Sequence, residues 1–252
     1  MALHKEWLVR FAKTIHDNKV TGPTYSLGDQ QTLFTFDYAV RRLKSFGLLV
    51  NPGVQPVPDH CRPYCLSFRS FVAMLGIEDY QDIDINGKAA LNLDFSLPLP
   101  QEHEGKAGAI FDLGTIEHIF DASQAFANVC HFLREGGLVI HCSPMTAYEH
   151  GFYNFNPLLF RKFYTANGFE IVDHTVIVSP IETIRSIFVN GPKSRERQLK
   201  SGGKPFILYL DDTSKWFRYF NNFVFHPSRM YFFFAARKMR NNANIVSPLQ
   251  IG

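Results

Sequence analysis

The stretch AGAIFDLGTIEHIFDASQAFANVCHFLREGGLVIHCSP, residues 107–144, decides the fold. Residues 107–113 are apolar, strand-sized and close on Gly114. Residues 123–133 place Ala125, Phe126, Val129 and Phe132 on one side of a helix. REGG reads as a turn, and residues 138–142 form a second apolar strand stopped by Ser143 and Pro144. Strand, helix, strand is the repeating unit of a parallel sheet with helices packed on it.

The rhythm extends outward from there. Upstream, residues 24–27, 80–85 and 89–93 are strand candidates, and residues 66–75 are a helix stopped by Gly76. Residues 33–49 also read as helical, and residues 2–18 form an amphipathic helix through Leu3, Trp7, Leu8, Phe11 and Ile15. Downstream, Asn156-Pro157 opens a helix that ends at Asn167-Gly168. Residues 170–179 alternate like a strand, and residues 231–236 form the last one. The expectation is one α/β domain over residues 1–252: a doubly wound, mainly parallel seven-stranded sheet with an antiparallel last strand and helices on both faces. Residues 34–66, proline-rich from Asn51 onward, and residues 180–229 break the rhythm and read as lid or insertion segments over the ligand edge.

Composition narrows the function. The chain has 252 residues, 46% hydrophobic and 19% charged, with a net charge of +3. That is too near balance to argue for a nucleic-acid or membrane partner. No apolar run approaches the roughly 18 residues of a membrane span, and the N-terminus has no apolar signal core, so a cytoplasmic address is expected. Four cysteines do not make a disulfide framework at this length. Cys61 and Cys65 with His60 would be half a metal site, but no second half follows, so no metal is expected. The 25 Phe are the unusual feature. Phe111, Phe120, Phe126 and Phe132 fall on elements of the central fold and read as core. The groups Phe152, Phe155, Phe160, Phe163 and Phe217, Phe220, Phe223, Phe225 would wall a substrate pocket or form a subunit contact.

Chemistry collects at the strand ends. In an open α/β sheet ligands sit at the carboxyl edge, where an acid ending a strand accepts from ribose hydroxyls. Asp84 in DIDING holds that position, and Asp94 closes the next strand. Taken singly, acids after strands are ordinary loop residues; as an ordered series they favour a nucleoside-like ligand.

The succession YSLGDQ, DIDING, LNLDFSLPLP, AIFDLGTIEHIFD and FLREGGLVIHCSP resembles the class I (Rossmann-like) S-adenosylmethionine-dependent methyltransferase family. YFFFAARK is similar to that family's antiparallel seventh strand. The resemblance covers about residues 20–180 and the last strand, and rests on order and spacing. It implies S-adenosyl-L-methionine as cofactor. Gly28, Asp29 and Gln30 would approach its amino acid end. Asp84 would take the ribose hydroxyls and Ile85 would pack on the adenine. Asp94 would accept from the adenine amine with Phe95 against the ring, and Gly114 and Thr115 would line the cofactor near the sulfonium. The first motif departs from the family, since it has one glycine where two or three are usual. A variant loop using Asp29 or Gln30 is the favoured reading; lost cofactor binding is the other.

An oxygen acceptor benefits from a base of near-neutral pKa, which points to histidine. His118 follows the fourth strand of the resemblance, beside Glu117, which would orient a base or bind a substrate amine. The Glu117-His118 pair would equally serve as a structural turn. His150 lies in MTAYEHGFYNFNP, whose Tyr148, Tyr153 and Asn154 suggest substrate contact, whereas His141 reads as a buried, hydrogen-bonded residue. The expected activity is O-methylation of a small molecule or glycan-type intermediate. A non-catalytic binding or scaffold protein of the same fold is the alternative, with RNA or protein methylation behind it, because the basic run at residues 193–204 lacks interleaved aromatics.

Overall fold

The structure, a computed structural model, describes residues 2–51, 53–147, 150–179, 206–209, 229–242 and 244–248. Its strands are β1 (Ala2–Leu3), β2 (Thr24–Leu27), β3 (Gln31–Thr32), β4 (Tyr80–Asp84), β5 (Leu91–Asn92), β6 (Ala107–Asp112), β7 (Leu133–Pro144), β8 (Phe169–Ser179), β9 (Phe206–Tyr209) and β10 (Arg229–Lys238). Its α-helices are α1 (Leu8–Asp17), α2 (Phe36–Lys44), α3 (Phe68–Met74), α4 (Ala122–Phe132) and α5 (Pro157–Ala166).

The main sheet runs β5-β4-β2-β6-β7-β10-β8-β9. Neighbours from β5 to β7 pair in parallel. β10 lies antiparallel between β7 and β8, so the last strand is inserted against the grain of the sheet. This is the seven-stranded arrangement expected from the sequence, with one addition. β9 pairs antiparallel with β8 and comes from residues 180–229; the rest of that segment, with its basic run and Phe217, Phe220, Phe223 and Phe225, lies outside the described residues.

Both faces of the sheet are covered, and the alternation along each strand says how. Phe111, Leu138, Ile140, Phe233 and Ala235 point to one core, which is closed by α1, α2 and α3 through Phe11, Leu43 and Phe71. Ile110, Val139, Phe232, Phe234 and Val176 point to the other, closed by α4 and α5 through Phe126, Val129, Phe160 and Tyr164. The run FFFAA of β10, residues 232–236, is thus apolar throughout because it is buried on both sides of the sheet.

Several boundaries differ from expectation for local reasons. The N-terminal segment begins as β1, paired with β3, before α1 starts at Leu8. REGG lies within β7: Leu133 pairs with Ala107 and Leu138 with Ala109, so the turn is absorbed as a bulge. α2 sits within 34–66 with Ala39 and Leu43 in the core, which makes that part of the segment structural. Helix ends carry side-chain caps: Thr35, Ser67, Asp121 and Asn156 each accept from an N–H of the first turn. The buried Lys238 ammonium donates to the carbonyls of Cys130 and Leu133, tying β10 to the end of α4. Among the described residues no helix is long and apolar enough to cross a membrane.

Beneath the carboxyl edge lies a buried polar chain. The Asp112 carboxylate accepts from His141 Nδ1 at 2.7 Å, and His141 Nε2 accepts from the Tyr164 hydroxyl at 2.6 Å. All three residues are fully buried, so the chain links β6, β7 and α5 through the second core. His141 is thus the hydrogen-bonded residue its apolar strand suggested. Tyr164→Phe would leave His141 Nε2 without a donor in a dry site. The expected cost is about 1–3 kcal/mol, read from the urea midpoint; a neutral result would mean that water replaces the hydroxyl.

Candidate active site

Asp112 also shapes the turn above it. Its Oδ1 accepts the N–H groups of Thr115 at 2.7 Å and Ile116 at 3.3 Å. The chain then makes one 3-10 turn, Ile116–His118, closed by His118 N–H to the Thr115 carbonyl at 2.9 Å. This turn sends Glu117 into the protein and leaves His118 exposed.

The loop after β7 closes onto the same turn. The N–H groups of Phe152 and Tyr153 donate to the Glu117 carbonyl at 2.8 and 3.3 Å. Gly151 is required for this approach, since a Cβ there would stand 2.8 Å from that carbonyl oxygen. As a result His150 Nε2 lies 3.9 Å from Glu117 Oε1, and the His118 and His150 rings stand 5.0 Å apart at 73°. Glu117, His118 and His150 therefore form one cluster, with ligating atoms all within 4.8 Å of one another.

Electrostatically the cluster is uneven. Glu117 is fully buried and neither carboxyl oxygen has a hydrogen-bond partner. Burial, then the nearby Asp112 charge, pushes its pKa up to about 9. Burial and the neighbouring His150 hold His118 below the usual imidazole range. Tyr153 and Asn154 line the loop but are engaged within it. Tyr153 donates its hydroxyl to the Phe120 carbonyl at 2.7 Å, and Asn154 brackets the backbone of Ala147 with both ends of its amide. Tyr148 lies outside the described residues.

The phenylalanines sort differently from the sequence expectation. Phe120 is 76% exposed rather than core. Phe155, Phe160 and Phe163 are core rather than pocket wall. Phe152, 64% exposed, meets Phe120 edge-on at 5.7 Å, which makes an apolar pair on the rim beside the cluster.

The first loop meets this turn from the other side. Gly28 has φ +74°, and a Cβ there would come within 2.9 Å of the Thr115 hydroxyl. That hydroxyl donates to the Leu27 carbonyl at 2.6 Å and accepts from Gln30 Nε2 at 3.1 Å. The Gln30 amide also donates to the Leu27 carbonyl. Gln30 is thus a buried brace between β2 and the turn after β6. Asp29 is the exposed member of the loop, 3.2 Å from His60, with a pKa raised chiefly by burial.

Asp84 ends β4 and its Oδ1 accepts from Ile85 and Asn86 N–H at 2.7 and 3.2 Å. Ile85 is 69% exposed beside it. Asp94 is held ionised by the Ser96 hydroxyl and N–H, which lower its pKa. Phe95 departs from expectation: its ring is buried in the core near Phe132, because Asn128 fastens its carbonyl and that of Leu97. Gly114 stands between Asp112 and Thr115 with φ +100°. Asp112 and Gly151 organise the site and were missed. The signal for the first was an acid closing an apolar strand two residues before a glycine. His60, Asp59 and Cys61 also gather in the proline-rich segment, where Asp59 accepts from the Cys61 and Arg62 N–H groups at 2.9 Å.

The sheet order, parallel from β5 to β7 with β10 antiparallel between β7 and β8, is the order that the class I methyltransferase resemblance implies. No family model and no curated protein matches the chain. Among solved structures it is similar to a candidate methyltransferase of Bacillus halodurans, with 11% identity, TM-score 0.44, and 90% of this chain and 97% of that one covered. It is also similar to the [4+2]-cyclase SpnF, with 12% identity, TM-score 0.43, and 91% and 80% covered. A third is a SAM-dependent methyltransferase of Archaeoglobus fulgidus, with 12% identity, TM-score 0.43, and 92% of each chain covered.

The Glu117 environment makes a pH prediction. The unfolded chain releases this proton in the ordinary carboxylate range, while the folded chain, with Asp112, His118 and His150 around the group, keeps it to about 9. Stability contributed by this group is therefore present at low pH and lost as pH rises through that window. Glu117→Gln should flatten the decline in urea midpoint between about pH 6 and 9, measured with a chelator present. An unchanged slope would mean that Glu117 is already ionised at neutral pH.

Proposed function

We propose that the chain is an S-adenosylmethionine-dependent methyltransferase acting on an oxygen of a small-molecule or glycan-type acceptor. The observation that carries this reading is the series at the carboxyl edge: Gly28 turned against Thr115, Asp84 with exposed Ile85 at the end of β4, and Asp94 after β5. An acid and an exposed aliphatic side by side suit a ribose and an adenine face. Asp84 and Asp94 follow the neighbouring parallel strands β4 and β5 on one edge of the sheet, and the glycine turn after β2, with no Cβ, suits close backbone approach by the amino acid end of the cofactor. Bound there, the cofactor supplies an already activated methyl group, so alignment accounts for much of the rate.

The protein's own task is to hold the acceptor and deal with its proton. The Glu117, His118 and His150 cluster stands next to Gly114 and Thr115, where the reacting centre would lie. His118, kept mainly neutral by its surroundings, can accept a proton, with His150 beside it. The Phe120 and Phe152 pair offers an apolar wall for the acceptor body. Asn154 and Tyr153 act by holding that loop in place.

A second reading, a non-catalytic binding protein of the same fold, is favoured by one observation. The Gln30 and Thr115 brace occupies the mouth of the first loop, where a richer glycine motif would leave room. Titration calorimetry separates the two. Binding of S-adenosylmethionine that is lost, by about tenfold or more in affinity, in Asp84→Ala supports the methyltransferase; tenfold corresponds to about 1.4 kcal/mol. No binding at millimolar cofactor sinks it.

A further inference from the structure

We propose that Glu117, His118 and His150 form a binding site for one divalent first-row transition ion, such as Zn²⁺, Co²⁺ or Fe²⁺. Three observations converge on it. The Glu117 carboxyl is fully buried, yet both oxygens lack a hydrogen-bond donor. A buried carboxyl without partners costs free energy that a protein ordinarily avoids, and a cation would satisfy both oxygens at once. Two imidazoles flank that carboxyl, with one ligating atom from each of the three residues inside a 4.8 Å span. Both histidines are partly exposed, so the set is closed on the protein side and open on the solvent side.

The donor set selects the ion. Imidazole suits zinc, cobalt and iron, whereas magnesium and calcium take oxygen donors. Two imidazoles and one carboxylate leave a coordination position for another ligand, which is the pattern of a reactive site rather than a structural one. The spacing is close to that required. Ligand atoms about 2.1 Å from a tetrahedral ion lie about 3.4 Å apart. Glu117 and His150 are at 3.9 Å, and all three ligating atoms lie within 4.8 Å of one another, so ion binding would draw the set together by about 1 Å.

The backbone around the three ligands is already fixed. Asp112 holds the turn that carries Glu117 and His118. The Glu117 carbonyl holds the loop that carries His150, through a contact that only a glycine at 151 allows. The group of Asp59, His60 and Cys61 lacks this character, since the buried Asp59 already accepts two backbone N–H groups.

The site stands on these residues alone; its role rests on the methyltransferase reading. In that role the ion replaces His118 as the group that deals with the proton, and an acceptor hydroxyl would take the open position on the ion. Its O–H bond then breaks, the electron pair stays on oxygen and the proton passes to water. The ion keeps its oxidation state, and the coordinated oxygen would bond the cofactor's methyl carbon as the carbon–sulfur bond breaks and its electron pair passes to sulfur.

The test uses the full chain, stripped with a chelator and titrated with Zn²⁺ by calorimetry and with Co²⁺ by visible absorption. One ion per chain is expected, with Co²⁺ bands typical of nitrogen and oxygen donors. Even outer-shell changes cost metal sites about 10–100-fold in affinity, so Glu117→Gln and His150→Ala should each lose about 100-fold or more. His60→Ala should change nothing. His150 is on the surface, so its variant tests the site if Glu117→Gln folds poorly. Retention of the ion by both variants, or its loss in His60→Ala, overturns the site. Cofactor binding without retention of either ion overturns the metal site and leaves the methyltransferase reading in place. Ion binding without any S-adenosylmethionine binding supports the site and removes the methyltransferase reading.

Discussion

The Asp112 carboxylate is the constraint on which the carboxyl edge depends. A carboxylate buried in an apolar core is tolerable only when its oxygens are occupied. One oxygen accepts two N–H groups from the following turn, and the other takes the proton-bearing nitrogen of His141. Through His141 the constraint reaches Tyr164 and α5. Through the turn it fixes which way Glu117 points. The two carboxyl groups share one buried neighbourhood, and only Asp112 is compensated. Glu117 therefore carries the electrostatic cost, which is why its proton is held so tightly.

From that turn the other parts of the edge take their places. Thr115 has its N–H on Asp112 and its hydroxyl on Leu27, so it couples β6 to β2 directly. Gln30 completes the coupling from the loop after β2. A chain with more glycines in that loop would be more open there but less tightly braced. The loop bearing His150 relies on the same turn, because its backbone donors go to the Glu117 carbonyl. Three segments distant in sequence are thus positioned by one 3-10 turn and the acid beneath it.

The sheet was legible in the sequence because burial on both faces leaves a strong signal. Continuous apolar strands such as β6 and β10, separated by helices with one apolar side, admit few arrangements. Boundaries were less legible where tertiary contacts override local rules: REGG carries turn chemistry yet pairs within β7. The strand-end acids could be located by position, since Asp84 and Asp94 follow their strands. Side-chain direction could not. Phe95 and Phe120 sit in similar polar-flanked contexts, but Asn128 draws the first into the core, while the second remains on the rim. Nor could spacing bring His150 to Glu117, because that meeting depends on the absence of a side chain at Gly151.

Three departures from the usual rules of burial meet at one place. A carboxyl without donors is buried there, two phenylalanines are exposed, and two histidines stand ring to ring. Other charged groups in the interior are satisfied: the buried lysine has two carbonyl partners and Asp112 has three donors. A chain able to satisfy Lys238 and Asp112 so fully has the means to satisfy Glu117 as well. A buried carboxyl left without donors beside satisfied charges marks a place where stability is given up and a ligand can supply the missing partner. For Glu117 the missing partner must approach from the side of the two imidazoles, and a positive charge is what such a group would hold most strongly.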